Sequence, residues 1–342
     1  MAKTTIPSYS PHWLSGIFRF LDALPVPFWL LALIYLIAMA ALRHWIAWER
    51  GLVPQGQVNA WLAINPLFSL SLIIAWLYLD RRAVQALQRF FADTGKKKSE
   101  IDQAVREFLS LSPGLASLLF IIGGIVGYFG FLTDAKVEPQ AAQVLPAVFI
   151  FGYSLALGFI ALLVYRLLRQ IKMMRQLLAN VDADIFTPQR VYALSSYGAA
   201  FALTVFIAEA IPGLPVSNFF VAPETIIGLF ALGILLLIIF FVPLVDINKR
   251  MRSHKDHLLA EIGSDLSEIQ QRTHLALQKK KYADVDKMRG SLSTLREQRE
   301  LVQKTSTWPW QPDTLRNLLT PLLIPIIVIL VQRYLGSFLG LQ

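Results

Sequence analysis

Seven apolar runs constrain this chain more than any other feature. They cover about 25–45, 61–79, 114–133, 145–165, 192–211, 224–245 and 316–336. Each is on the order of 18–25 residues, enough to cross a hydrocarbon layer roughly 30 Å thick as a helix. Backbone amides inside lipid must be satisfied within the segment, so helices are expected. The expected fold is therefore all-α and polytopic, with seven transmembrane helices.

Charge then sets orientation. Of the 32 Lys and Arg residues, all but Arg43, Arg50, Lys136 and Arg333 fall in the N-terminal segment, loop 80–113, segment 166–191 or the stretch 246–316. Cytoplasmic loops retain Lys and Arg, so the N-terminus is expected inside and the C-terminus outside. The net charge of +9 is accounted for by an anionic inner leaflet, and no nucleic-acid partner is expected. Ala38-Met39-Ala40 resembles a signal-peptidase site, but the apolar run continues past it, as in an uncleaved anchor. The absence of cysteine excludes disulfides, thiolate metal sites and thiol catalysis.

Four regions follow. Residues 1–24 contain an expected interfacial amphipathic helix, with Trp13, Ile17, Phe20, Leu21 and Leu24 at helical spacing and Pro25 and Pro27 ending it. Residues 25–245 form a six-helix membrane domain with cytoplasmic loops 80–113 and 166–191. Loop 80–113 reads as two short amphipathic helices about a Gly-Lys-Lys-Lys turn. The first carries Val84, Leu87 and Phe91. The second carries Ile101, Val105 and Phe108. In the third run Gly123 and Gly127 make a small-xxx-small pair for close helix packing. Packing within the chain is the plainer reading, and a subunit interface or pore lining the sharper one.

Residues 246–306 read as a cytoplasmic αα-hairpin. Ile247, Met251, Leu258, Ile262, Ile269, Thr273 and Leu277 trace one helical stripe. After a break near 279–284, Val285, Met288, Leu292, Leu295 and Val302 trace a heptad seam. Residues 307–342 hold a Trp308-Pro309-Trp310 corner and the seventh helix, with Asp313 as its expected N-cap. The prolines forbid a continuous helix, so the corner is expected to couple the hairpin to that last helix and to gate it. The hairpin, loop 80–113 and segment 166–191 together form an expected cytoplasmic helical layer.

The charged hairpin, the Thr-Trp-Pro-Trp corner and the final TPLLIPIIVILVQRYLG run resemble the C-terminus of a group of bacterial polytopic membrane proteins with no assigned activity. The NVDADIFTPQRVYALS stretch resembles that group too. The likeness covers most of the second half of the chain and implies a multi-pass protein of the bacterial inner (plasma) membrane. Insect odorant and gustatory receptor channels are similar in topology alone; their last-helix signature does not match here.

Candidate sites are few. Arg166, Arg169, Lys172 and Arg175 recur every third residue, as in a voltage sensor. The apolar run before them already fills a bilayer, so they are expected to touch anionic lipid. Glu209 and Glu224 flank an uncharged outer loop and are candidates for an outer mouth. The plainer reading is two interfacial carboxylates. Thr320, Pro321, Pro325 and Gln332 are candidate pore-lining residues of the last helix. No Asp, Glu, Lys or His stands at the middle of a run, which disfavours proton-coupled transport. His254 and His257 lack further ligands in register, and no metal site is expected. No nucleophile elbow, phosphate loop or zinc-protease motif occurs. Neither catalytic residues nor a cofactor is expected, and the chain is not read as an enzyme.

The leading expectation is a homo-oligomeric pore or ion channel gated through the hairpin and last helix. The alternative is a non-conducting scaffold or accessory subunit docking a cytoplasmic protein partner. A secondary transporter ranks third, because no inverted repeat is visible.

Overall fold

Proline and glycine set most of the helix boundaries. The structure is a computed structural model describing residues 16, 20, 25–92, 94–137, 146–179, 185–186, 188–210, 223–311, 313–320 and 323. At 60–61, 64–65, 131–137, 146–149, 210, 223–226, 229 and 284 it describes the backbone alone. Besides the helical residues at 16, 20, 313–320 and 323, the described residues form nine helices, and no strand. These are α1 (Phe28–Glu49), α2 (Ala60–Phe91), α3 (Lys98–Leu109), α4 (Pro113–Val137), α5 (Pro146–Ala179), α6 (Gln189–Ala210), α7 (Pro223–Phe241), α8 (Val245–Gln278) and α9 (Tyr282–Lys304). Residues 313–320 are helical as well.

Pro27 precedes α1 in extended conformation, and Gly51 at φ 66° follows it. The Leu52 N–H reaches Ala47 O and the Gly51 N–H reaches Trp48 O, a paired closure that satisfies the last carbonyls. The same closure recurs after α8. There Lys281 N donates to Ala276 O and Lys280 N to Leu277 O, with Lys280 at φ 54° where glycine is usual. Pro243 lies in the break between α7 and α8, where the chain bends by 46°. Proline cannot donate the next helical bond, which accounts for the bend.

Four stretches are long and apolar enough to cross a membrane: Phe28–Glu49, Lys98–Gly130, Ile150–Ala179 and Gln189–Glu209. The bent pair Phe230–Phe241 and Val245–Gln278 makes a fifth. The apolar surface agrees. Ile121, Ile125 and Phe129 on α4, Leu33 and Ile37 on α1, and Ile234 and Ile238 on α7 are all exposed. Ridges of this kind suit lipid rather than water. The expected run 61–79 lies within α2. The expected run 316–336 and the interfacial helix 11–24 lie largely outside the described residues; Gly16 and Phe20 of the latter are helical.

α2, α5 and α6 hold the core, with Leu72, Trp76, Leu79 and Leu87 meeting Leu162, Leu194 and Ala202. The Ser71 hydroxyl donates to Ala208 O at 2.9 Å and joins α2 to α6. α4 and α5 approach backbone to backbone. A Cβ on Gly123 would lie 2.5 Å from Leu157 O, and one on Gly127 2.5 Å from Tyr153 O. No larger residue fits either place unless the helices separate.

α8 and α9 pack antiparallel. Lys255 reaches Gln303 and Thr305 near one end, and the Thr273 hydroxyl reaches Met288 Sδ near the other. The expected seam on α9 faces inward: Val285, Met288, Leu292 and Leu295 are half-buried and Val302 is buried. On α8 the expected stripe is corrected at its end. Leu277 is 46% exposed and Ala276 takes the inward position, while Leu266, absent from the expected stripe, is buried. Loop 80–113 is corrected too. Its first short helix is the continuation of α2, because neither Gly nor Pro stands between Leu79 and Phe91 to break it.

Candidate functional site

Where α2 and α5 run past their apolar stretches, they carry a buried ion pair. Arg166 Nη2 lies 2.7 Å from Asp80 Oδ1, with the two side chains 1% and 11% exposed. The guanidinium carbon is 4.8 Å from the ring centroid of Trp76, one turn before Asp80. α6 adds Tyr197, which donates to Gln170 Oε1 at 2.7 Å, one turn beyond Arg166. α3 closes the group with Phe108 edge-on to Tyr197 at 5.6 Å. Four helices therefore meet at one polar knot. Arg166 Nε and Nη1 and Gln170 Nε2 have no hydrogen-bond partner among the described residues. The knot holds more donors than acceptors, so the single carboxylate of Asp80 carries much of the compensation for a buried charge.

The second element is the joint between hairpin and helices. Trp310 is buried against α7, 5.4 Å from Phe241 and 5.8 Å from Phe240. Trp308 packs on Trp310 at 4.5 Å and is half exposed. Lys255 Nζ donates to Gln303 O and Thr305 O, each at 2.7 Å, and so ties α8 to the end of α9. On the other flank Arg250 donates to Ala179 O at 2.9 Å and to Leu178 O. Arg175 pairs with Asp246 at 2.6 Å in the open. Buried Ile247 and Met251 continue the main core into the root of the hairpin. The corner and the 46° bend thus occupy one place.

The basic row on α5 is not a uniform lipid-facing stripe. Arg166, expected at lipid phosphates, is enclosed in the knot. Arg169 donates to Glu107 O and the Ser110 hydroxyl at 2.9 and 2.8 Å. Lys172 and Arg175 line a shallow depression of about 440 Å³ where α5 meets α8. Asp80 and Arg166 stand just beyond the expected runs 61–79 and 145–165, where charges are expected in loops. A continuous helical stripe would have exposed them, since Leu72, Trp76, Asp80, Ala83 and Leu87 share one face of α2, as do Phe159, Leu163, Arg166, Gln170 and Met174 on α5.

The other candidates scatter. Trp308, Pro309 and Trp310 form the corner, and Asp313 is the first described residue of the helix after it. Glu209 is half-buried in the last turn of α6, whereas the side chain of Glu224 lies outside the described residues. Thr320 is exposed in the last described turn, while Pro321, Pro325 and Gln332 lie outside the described residues. Gly123 and Gly127 face α5. His254 and His257 are exposed on α8, and no group of three or more His, Asp or Glu side chains that could hold a metal occurs among the described residues.

Compared with known proteins, the chain matches no family model, no curated protein and no solved structure.

Proposed function

We propose that the chain is a seven-span protein of the bacterial inner membrane, with its N-terminus and hairpin in the cytoplasm. In this reading it assembles as a homo-oligomeric pore, gated when the hairpin moves the last helix. One observation carries the proposal. Trp310 is wedged on Phe240 and Phe241 at the bend that roots the hairpin, and the helix that follows the corner begins within three residues of it. A tilt of α8 therefore reaches the last helix without slack. The C-terminal likeness to bacterial polytopic proteins fits the reading and assigns no activity.

The test is ion flux from liposomes holding the purified chain, repeated with the hairpin tip 279–284 replaced by a flexible linker. Flux that depends on the tip supports gating. A tight membrane under several salts and voltages with either protein sinks the pore. Topology has its own check. The chain lacks cysteine, so a single cysteine at Lys280 should react with an impermeant maleimide only from the cytoplasmic side.

The scaffold reading also has an observation behind it. Leu275, Leu277 and Tyr282 lie exposed at the tip of the hairpin. An apolar tip on a charged arm suits a cytoplasmic protein partner. Purification that retains a stoichiometric foreign subunit, with no flux, favours it.

A further inference from the structure

A crevice of about 330 Å³ lies between α2, α6 and the helix 313–320, on the hairpin side of the apolar belt. Its lining mixes apolar and polar side chains. α2 runs from Tyr78 to Arg89 across roughly 16 Å of rise. Ala199, Ala200, Leu203 and Leu318 give it apolar lining, while Arg82, Gln85, Arg89, Ser196, Thr314 and Asn317 bring polar groups. α6 is antiparallel to α2, so Leu203 lies nearer the middle of the apolar stretch than Tyr197 does. The crevice thus sets apolar side chains, one of them toward the apolar belt, beside two cations.

The two arginines are available. Among the described residues neither Arg82 nor Arg89 pairs with a carboxylate. Arg82 is folded along α2, its Nε donating to the Tyr78 hydroxyl at 2.8 Å and its guanidinium 5.2 Å from the Tyr78 ring. That contact uses Nε and leaves the Nη pair for an acceptor. Guanidinium forks match phosphate oxygens, and two of them around a small crevice favour a dianionic or diester phosphate over a carboxylate.

We propose that the crevice binds the headgroup of an anionic phospholipid from the leaflet on the hairpin side. Arg82 and Arg89 hold the phosphate, Gln85 and Asn317 the headgroup hydroxyls, and the chains leave along Leu203 and Leu318. Leu203 and Leu318 in the same lining as the arginines favour a lipid over a free phosphate ester, because a soluble ion makes no use of apolar side chains. Asn317 and Leu318 belong to the helix after the Trp corner, so the lipid fastens that helix to α2. The inference is independent of conduction and stands whether or not the chain is a pore.

The experiment is thermal unfolding of the full chain in neutral detergent, followed by tryptophan fluorescence, during titration with phosphatidylglycerol, phosphatidylcholine, glycerol 3-phosphate or inorganic phosphate. Phosphatidylglycerol should raise the Tm and phosphatidylcholine should not. R82Q/R89Q should weaken the phosphatidylglycerol effect by about tenfold or more, the loss of charge-assisted contacts. K279Q/K280Q removes the same charge at the hairpin tip and should leave it unchanged. R82K/R89K keeps the charge but loses the forks, and should weaken the effect severalfold even if the glutamine variant fails to fold. Equal protection by both lipids, equal loss in the tip variant, or undiminished protection in R82K/R89K overturns the site. Protection by glycerol 3-phosphate alone that equals that of phosphatidylglycerol overturns the lipid as its source.

Discussion

Arg166 and Arg175 stand roughly two and a half turns apart on α5 and face different media. Both pair with an aspartate at close range. Arg166 is sealed among Trp76, Tyr197 and Gln170, while Arg175 and Asp246 are each about half exposed. Water screens the second pair and repays most of its loss. Nothing screens the first, so its value lies in the penalty for breaking it. The knot fixes how α2, α3, α5 and α6 register. The hairpin joint is a looser seam, held mainly by the Trp310 wedge and by side chains donating to helix-end carbonyls.

The sharpest way to break this contrast is Asp80→Ala, which strands a buried guanidinium. It should cost about 3–5 kcal/mol in denaturant unfolding in mild detergent. Asp80→Leu combined with Arg166→Met should recover most of that or exceed the parent, because it removes the charge rather than orphaning it. A loss below 1 kcal/mol for Asp80→Ala would place the pair in water after all. Next comes Trp310→Ala, expected to cost about 3 kcal/mol and to speed proteolysis of α8 and α9 before the membrane helices. Simultaneous cleavage of all parts would make hairpin and body one cooperative unit. Gly127→Val should cost about 1–3 kcal/mol, because its neighbour is the Tyr153 carbonyl, which cannot swing aside. Arg175→Ala should fall below about 1 kcal/mol and vanish in high salt, measured by the same unfolding assay. A salt-independent effect there would erase the difference between the two pairs.

Much of the architecture was legible because its signals are long. An apolar run of some twenty residues is hard to mistake, and Pro27 marks a boundary by what its backbone cannot do, whereas Pro243, inside the expected run 224–245, ends the helix at Phe241. The hairpin was legible because its seam on α9, from Val285 to Val302, is sharp. The knot was not, for a physical reason. Counting charges beyond a span assigns each to water, yet α2 and α5 stay helical and keep their buried faces past Asp80 and Arg166. Leu277 misled in the opposite direction. Apolar character placed it on the inner stripe, but at that turn the smaller Ala276 takes the buried position and Leu277 faces out.

The length of α8 has a mechanical corollary. At 1.5 Å per residue its 34 residues span roughly 51 Å, so each degree of tilt about the root displaces the tip by about 0.9 Å. An 11° swing therefore carries the tip about 10 Å while side chains beside Trp310 shift by an ångström or so. In the proposed gated pore the arm would act as a lever with its fulcrum at the Trp310 wedge. A weak tug at the far end becomes a strong, short push on whatever lies against the Trp310 wedge.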